Sequence, residues 1–131
     1  MKCARPLTVD GIVLIEDRIV FVRRGNEPFR GKLALPGGFV EADETVEEAV
    51  VREMREETGL ETRVRRLVGV YSDPGRDPRG PTVSVCFLLD HLSGTPEAAS
   101  DAASVELIAP GDVPELAFDH NRMVADAMPR R

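Results

Sequence analysis

A chain of 131 residues with 42% hydrophobic and 31% charged residues has the length and composition of one soluble domain with one packed core, and two catalytic domains are excluded. Its net charge of -6 has the wrong sign for non-specific duplex binding, and one Tyr with no Trp offers no platform on which a single strand would stack. The acidity is concentrated, because eight Glu and one Asp against two Arg lie between Glu41 and Glu61.

The first residues, MKCARPLTVDG, lack the apolar run of a secretory leader, and no apolar stretch approaches the roughly 18 residues of a membrane span, so a cytoplasmic protein is expected. Cys3 and Cys86 have no ligand-like spacing, which suits a reducing compartment, and Cys86 in its apolar run is expected as a buried small hydrophobe. Residues 8–16 and 18–24 are β-branched runs on either side of Asp17 and predict a hairpin or closely paired strands. A loop with Gly25, Pro28 and Gly31 follows, then the short apolar piece 33–35 and the sharp bend Pro36-Gly37-Gly38.

At Thr45 the period changes. Thr45 and Glu48 fit a capping box, Val46, Ala49, Val50 and Met54 recur at helical spacing, and Gly59 is a stop, which predicts a helix over 45–58. Residues 63–72 and 82–92 read as strands joined by a Gly/Pro-rich loop over 73–81. The segment 94–104 is small and polar, 105–109 is a last strand, and 119–128 is a terminal helix with Met123, Val124 and Ala127 on one face, which Asp119 is placed to cap. This order predicts an α/β or α+β domain over 1–131, with helices packed on a mixed sheet.

The chemistry is concentrated in the first helix. On a helical wheel centred on Glu53, Glu57 falls about 40° to one side and Glu56 about 60° to the other, while Val46 and Val50 fall about 20° and about 60° to the Glu57 side. Glu53 and Glu57 therefore continue the apolar stripe, where carboxylates repel one another and lose hydration unless a cation or donors compensate. Oxygen-only ligands suit Mg2+ or Mn2+. The alternative from spacing alone is a solvated helix with Arg52 and Glu56 as an i,i+4 pair.

The flanking residues favour the first reading. Gly38, Glu44, Arg52, Glu53, Met54, Glu56, Glu57, Gly59 and Leu60 fill G-x5-E-x7-R-E-U-x-E-E-x-G-U, with U a bulky aliphatic residue. Seven of these positions demand one identity each, so an accidental match is on the order of 10^-8 to 10^-9 per start point at average residue usages. In this segment the chain resembles the Nudix hydrolases. The resemblance implies an α/β/α sandwich with a central mixed sheet, in which the signature is a loop-helix-loop, and hydrolysis of a nucleoside diphosphate linked to another moiety. It further implies Glu53, Glu56 and Glu57 as metal ligands with the Gly37 carbonyl, and Glu44 and Arg52 as ties between loop and helix. Arg23 is a candidate diphosphate contact. Glu53 is the first choice of general base, with Asp101, Glu97 and Glu106 as loop alternatives.

Beyond the signature, Asn26-Glu27-Pro28-Phe29, Arg66 to Val70, Tyr71 to Val85 and Leu116 to His120 resemble segments of small archaeal and bacterial ADP-ribose pyrophosphatases of this family, with Pro81 standing where a His is expected. That resemblance implies ADP-ribose as substrate, with AMP and ribose 5-phosphate as products. Arg76, Arg79 and Asp77 on the stiff loop are candidates for phosphate and ribose, and Phe118 for stacking on adenine. His91 and His120 are expected as partly exposed bystanders. A housecleaning nucleoside triphosphate pyrophosphohydrolase is the alternative enzyme. A non-catalytic ligand sensor is disfavoured by the intact carboxylates and by the chain ending soon after the last helix. The expected partner is a small-molecule nucleotide, with no nucleic acid or membrane, and the expected assembly is a two-fold homodimer.

Overall fold

In the computed structural model, which describes residues 2–98 and 102–128, strand β1 (Leu7–Ile15) organises the sheet. It runs parallel to β6 (Val83–Ser93), in register from Leu7 opposite Val83 to Val13 opposite Leu89. On its other edge it pairs antiparallel first with β4 (Gly37–Phe39) and then, through Leu14 and Ile15 alone, with β2 (Arg18–Arg24). Strand β2 carries β3 (Leu33–Ala34) on one side and β7 (Ala102–Ile108) on the other, and β5 (Glu61–Tyr71) closes the far edge against β6. Among the described residues this is a mixed sheet of seven strands.

The alternation of β1 sends one set of side chains to each face. Val9 and Val13 pack with Ala49, Val50 and Met54 of helix α1 (Val46–Thr58), whereas Ile12 packs with Met123, Val124 and Ala127 of helix α2 (His120–Ala127). One helix therefore covers each face, giving the three layers the sequence implies. Gly11 lets α1 approach, since a Cβ there would lie 2.9 Å from the Met54 Cε and 3.1 Å from a Val50 methyl. The capping box of α1 is complete: the Glu48 N–H donates to the Thr45 hydroxyl at 3.0 Å and the Thr45 N–H donates to Glu48 at 2.8 Å, while Gly59 ends the helix at φ 76°.

The tight link between β1 and β2 has Glu16 and Asp17 at φ 50° and 63°, the left-handed pair that a two-residue hairpin needs. Three expectations change. The last strand begins at Ala102, earlier than its β-branched residues suggest, because Ala102 to Val105 complete the ladder opposite Val22 to Arg24. Gly37 and Gly38 are strand, not bend alone, because the missing side chains let β4 lie directly against β1. Asp119 stands at the N-cap of α2 as expected, but its carboxylate makes no capping bond because Arg76 holds it. Cys86 is fully buried as expected, and among the described residues no helix is long and apolar enough to cross a membrane.

Candidate active site

The site starts from two glycines. A Cβ on Gly37 would overlap the Val9 carbonyl oxygen, and one on Gly38 would lie 2.5 to 2.7 Å from the atoms of the Glu53 carboxylate. Their absence seats β4 on both β1 and α1, and the Gly37 N–H then donates to Glu57 at 2.7 Å. Arg52 ties the segment together. Its Nε and Nη2 donate to Glu44 at 2.9 and 2.6 Å, its Nη1 to Glu53 and Glu56 at 2.8 and 3.0 Å, and its Nη2 also to the Phe39 carbonyl at 3.1 Å. Glu44, which also accepts from the Glu41 N–H, is held down to about 2 by this fork.

Glu53 and Glu57 behave in the opposite way. Burial pushes the Glu57 carboxyl up to about 8 against the Gly37 amide, with Glu53 and Asp10 adding to the rise. Burial also raises Glu53, against Arg52. Carboxyls that resist ionising side by side form a site that a hard cation would relieve, and the all-oxygen donor set fits Mg2+ or Mn2+. Among the described residues no three acidic groups already meet at one point, because Arg52 holds Glu53 and Glu56 while the Gly37 amide holds Glu57.

These carboxylates form one wall of a cleft of about 500 Å3. The cleft is also lined by Asp77, which is buried and accepts from the Arg79 backbone N–H at 2.9 Å and from its Nε and Nη2 at 3.1 and 2.9 Å. The oriented Arg79 guanidinium lies 5.6 Å from the ring centres of both Phe39 and Phe118. Phe118 is held at φ 53° and meets Phe29 edge-on at 4.9 Å, with the Arg24 guanidinium 5.0 Å above its ring. Arg76, which also lines the cleft, has a buried side chain that donates to Asp119 through Nε and Nη2 at 3.0 and 2.7 Å and to the Thr82 hydroxyl at 2.6 Å.

Several expected roles shift accordingly. Asp77 and Arg76 both line the cleft, where Asp77 holds Arg79 with both oxygens and Arg76 braces the loop against Asp119. Arg23 is paired with Glu106 through Nε and Nη2 at 2.8 and 2.7 Å, which also engages that candidate base. Glu97 is exposed, does not line the cleft, and anchors its segment through its own N–H to the Thr58 carbonyl. Asp101 lies outside the described residues. His91 is exposed as expected, but His120 is buried: its Nδ1 accepts the Leu35 N–H at 3.0 Å and its Nε2 lies 3.3 Å from Asp10. Burial alone would raise the Asp10 carboxyl, yet His120, the Ser84 hydroxyl and Arg76 hold it below its ordinary value. The sequence reading passed over Asp10, Phe39 and Arg24, all of which line the cleft. The available signal for Asp10 was a lone carboxylate inside the apolar run TVDGIVLI.

An oxygen-donor wall facing a guanidinium and aromatic wall suits a polyanion carried with hard cations and joined to a flat group. The chain belongs to the Nudix family, since the NUDIX domain profile matches residues 4–127. It is 51% identical over 122 residues to an ADP-ribose pyrophosphatase of Methanocaldococcus jannaschii, covering 93% of this chain and 72% of that one. The NUDIX domain of Shewanella oneidensis NrtR in complex with ADP ribose superposes with a TM-score of 0.83 at 28% identity, covering 96% of this chain and 88% of that one. A bifunctional NMN adenylyltransferase/ADP ribose pyrophosphatase of Francisella tularensis, complexed with AMP and a Mn ion, gives 0.83 at 32% identity, over 93% of this chain and 40% of that longer one.

Proposed function

We propose that this chain is an ADP-ribose pyrophosphatase, hydrolysing ADP-ribose with Mg2+ or Mn2+ to AMP and ribose 5-phosphate. The observation that carries the reading is the pairing of an intact signature helix with a second wall built from Arg79 and Phe118, on the segments whose sequence resembles such enzymes. The 51% identity to an archaeal enzyme of that name supports it. Water adds to one phosphorus, the bond from that phosphorus to the bridging oxygen breaks, and the bridging oxygen leaves with the other phosphate.

Glu53, Glu56, Glu57 and the Gly37 carbonyl would hold the cations. When bound, the cations supply neutralisation of the diphosphate and a bound water of lowered pKa. Glu53, whose carboxyl burial raises above its ordinary value, is suited as the carboxylate to take the proton from the attacking water. Asp77 holds Arg79 toward the ribose phosphate beyond the cleaved bond, and Phe118, propped at its positive φ, presents a face to the base. The working unit is a two-fold homodimer in the cytoplasm, and its net charge of -6 accords with a nucleotide, not a nucleic acid, as partner.

The 29% identity to an ADPR responsive transcriptional repressor of Acinetobacter baylyi favours a sensor as the second reading, against which the complete carboxylate set weighs. A side-by-side panel of ADP-ribose, NADH, diadenosine polyphosphates and nucleoside triphosphates with Mg2+ separates the cases. ADP-ribose is expected to give the highest kcat/KM. Faster turnover of a triphosphate would make the chain a housecleaning enzyme, and tight ADP-ribose binding without turnover would make it a sensor.

A further inference from the structure

Five arginines line the cleft, and four of them are already ion-paired: Arg23 with Glu106 at 2.7 Å, Arg52 with Glu44 at 2.6 Å, Arg76 with Asp119 at 2.7 Å and Arg79 with Asp77 at 2.9 Å. Arg24 is the exception. Among the described residues no acidic side chain forms an ion pair with it, and its one side-chain hydrogen bond runs from Nε to the Pro28 carbonyl at 2.6 Å. That bond and the Phe118 ring beneath it fix the guanidinium plane.

We propose that Arg24 is a substrate-contact residue that binds a phosphoryl group of the diphosphate from the wall opposite α1, with Arg79 as its neighbour across Phe118. The proposal rests on the diphosphate reading above, but on no particular nucleotide. The Arg24 and Arg79 guanidiniums lie 5.0 and 5.6 Å from the centre of the same ring and both line the cleft, which offers an anion two forks.

The electrostatics agree with the geometry. Burial and the charge of Arg79 both work against the Arg24 cation, and the charges of Glu57, Asp77 and Asp10 support it without pairing with it. A fold that holds a half-buried cation beside another cation, with no carboxylate seated on it, leaves the charge for a ligand to meet. Arg23, the neighbour that sequence singled out, cannot take this part without giving up Glu106.

The test is titration calorimetry of the full chain with Mg2+ and the non-hydrolysable α,β-methylene analogue of ADP-ribose, using Arg24→Met, which keeps the stem on Phe118 and removes the charge. Binding should weaken about 10-fold or more and lose part of its salt dependence. Adenosine, which has no phosphate, should bind both proteins alike, and the ligand-free melting temperature should not fall. Arg24→Lys, which keeps the charge without the fork, should fall between the two and raise KM on the hydrolysed substrate more than it lowers kcat. Analogue affinity within twofold of the parent, or an equal loss for adenosine, would overturn the proposal. If the parent ignores the analogue but binds a nucleoside triphosphate, the ADP-ribose reading fails. A loss of triphosphate affinity in Arg24→Met would then still support the phosphate contact, and no loss would overturn it.

Discussion

Glu57→Gln is expected to lower kcat on ADP-ribose by about 100-fold or more while the protein stays folded, because it removes an anionic ligand from a site whose catalysis depends on a cation. The amide retains an oxygen to accept from the Gly37 N–H, so β4 keeps its seat. Near-parental turnover at saturating Mg2+ would refute the metal assignment. The metal-free protein gives a second readout. Its Glu57 carboxyl ionises at about 8 in the fold, chiefly through burial, and at its ordinary 4.5 in the unfolded chain. The unfolded state therefore holds fewer protons between those values, and the stability this group contributes below pH 4.5 is lost as pH rises toward 8. Glu57→Gln removes that loss. In EDTA the variant should melt above the parent at pH 8 and close to it at pH 4.5, and thermal melts at the two values check the sign.

Arg79→Ala is expected to reduce kcat/KM for ADP-ribose by about 10- to 100-fold, the range for losing a charge-assisted contact in a cleft. A substrate lacking the terminal ribose should lose less. Removing Arg79 also leaves the buried Asp77 carboxylate without its partner, so a melt of Arg79→Ala must accompany the kinetics. Asp77→Asn supplies the control: it keeps the guanidinium but loosens its orientation, and should cost less than Arg79→Ala on ADP-ribose. Equal losses of Arg79→Ala on both substrates would mean that Arg79 serves the diphosphate or the fold alone.

The parts of this site that were legible in the sequence are those whose determinants are local. Helix α1 announced itself because Thr45, Glu48 and Gly59 bracket it within one short segment, and its carboxylates share a face by helical geometry alone. Strand β4 did not, because two glycines carry no strand preference and its pairing comes from their close approach to β1. The difference in pairing between Arg23 and Arg24 has the same origin. Two adjacent arginines on one strand look alike until β7 brings Glu106 beside the first, and the ladder shifts register between them. Asp10 and His120 sit near opposite ends of the sequence, and although the apolar run around Asp10 hints at its burial, nothing local marks His120 as its partner until α2 docks beneath β1. The pairings of Arg76 with Asp119 and of Asp77 with Arg79 were not legible for a related reason: sequence lists donors and acceptors but not which of them bind each other first.

The most direct measurement of the central claim is phosphorus NMR of ADP-ribose incubated with the purified chain and Mg2+. Equal amounts of AMP and ribose 5-phosphate are expected, ceasing when EDTA is added while circular dichroism stays unchanged, and resuming when Mg2+ is restored. Unchanged ADP-ribose with folded, Mg2+-saturated protein, or orthophosphate as the first phosphorus product, would contradict it.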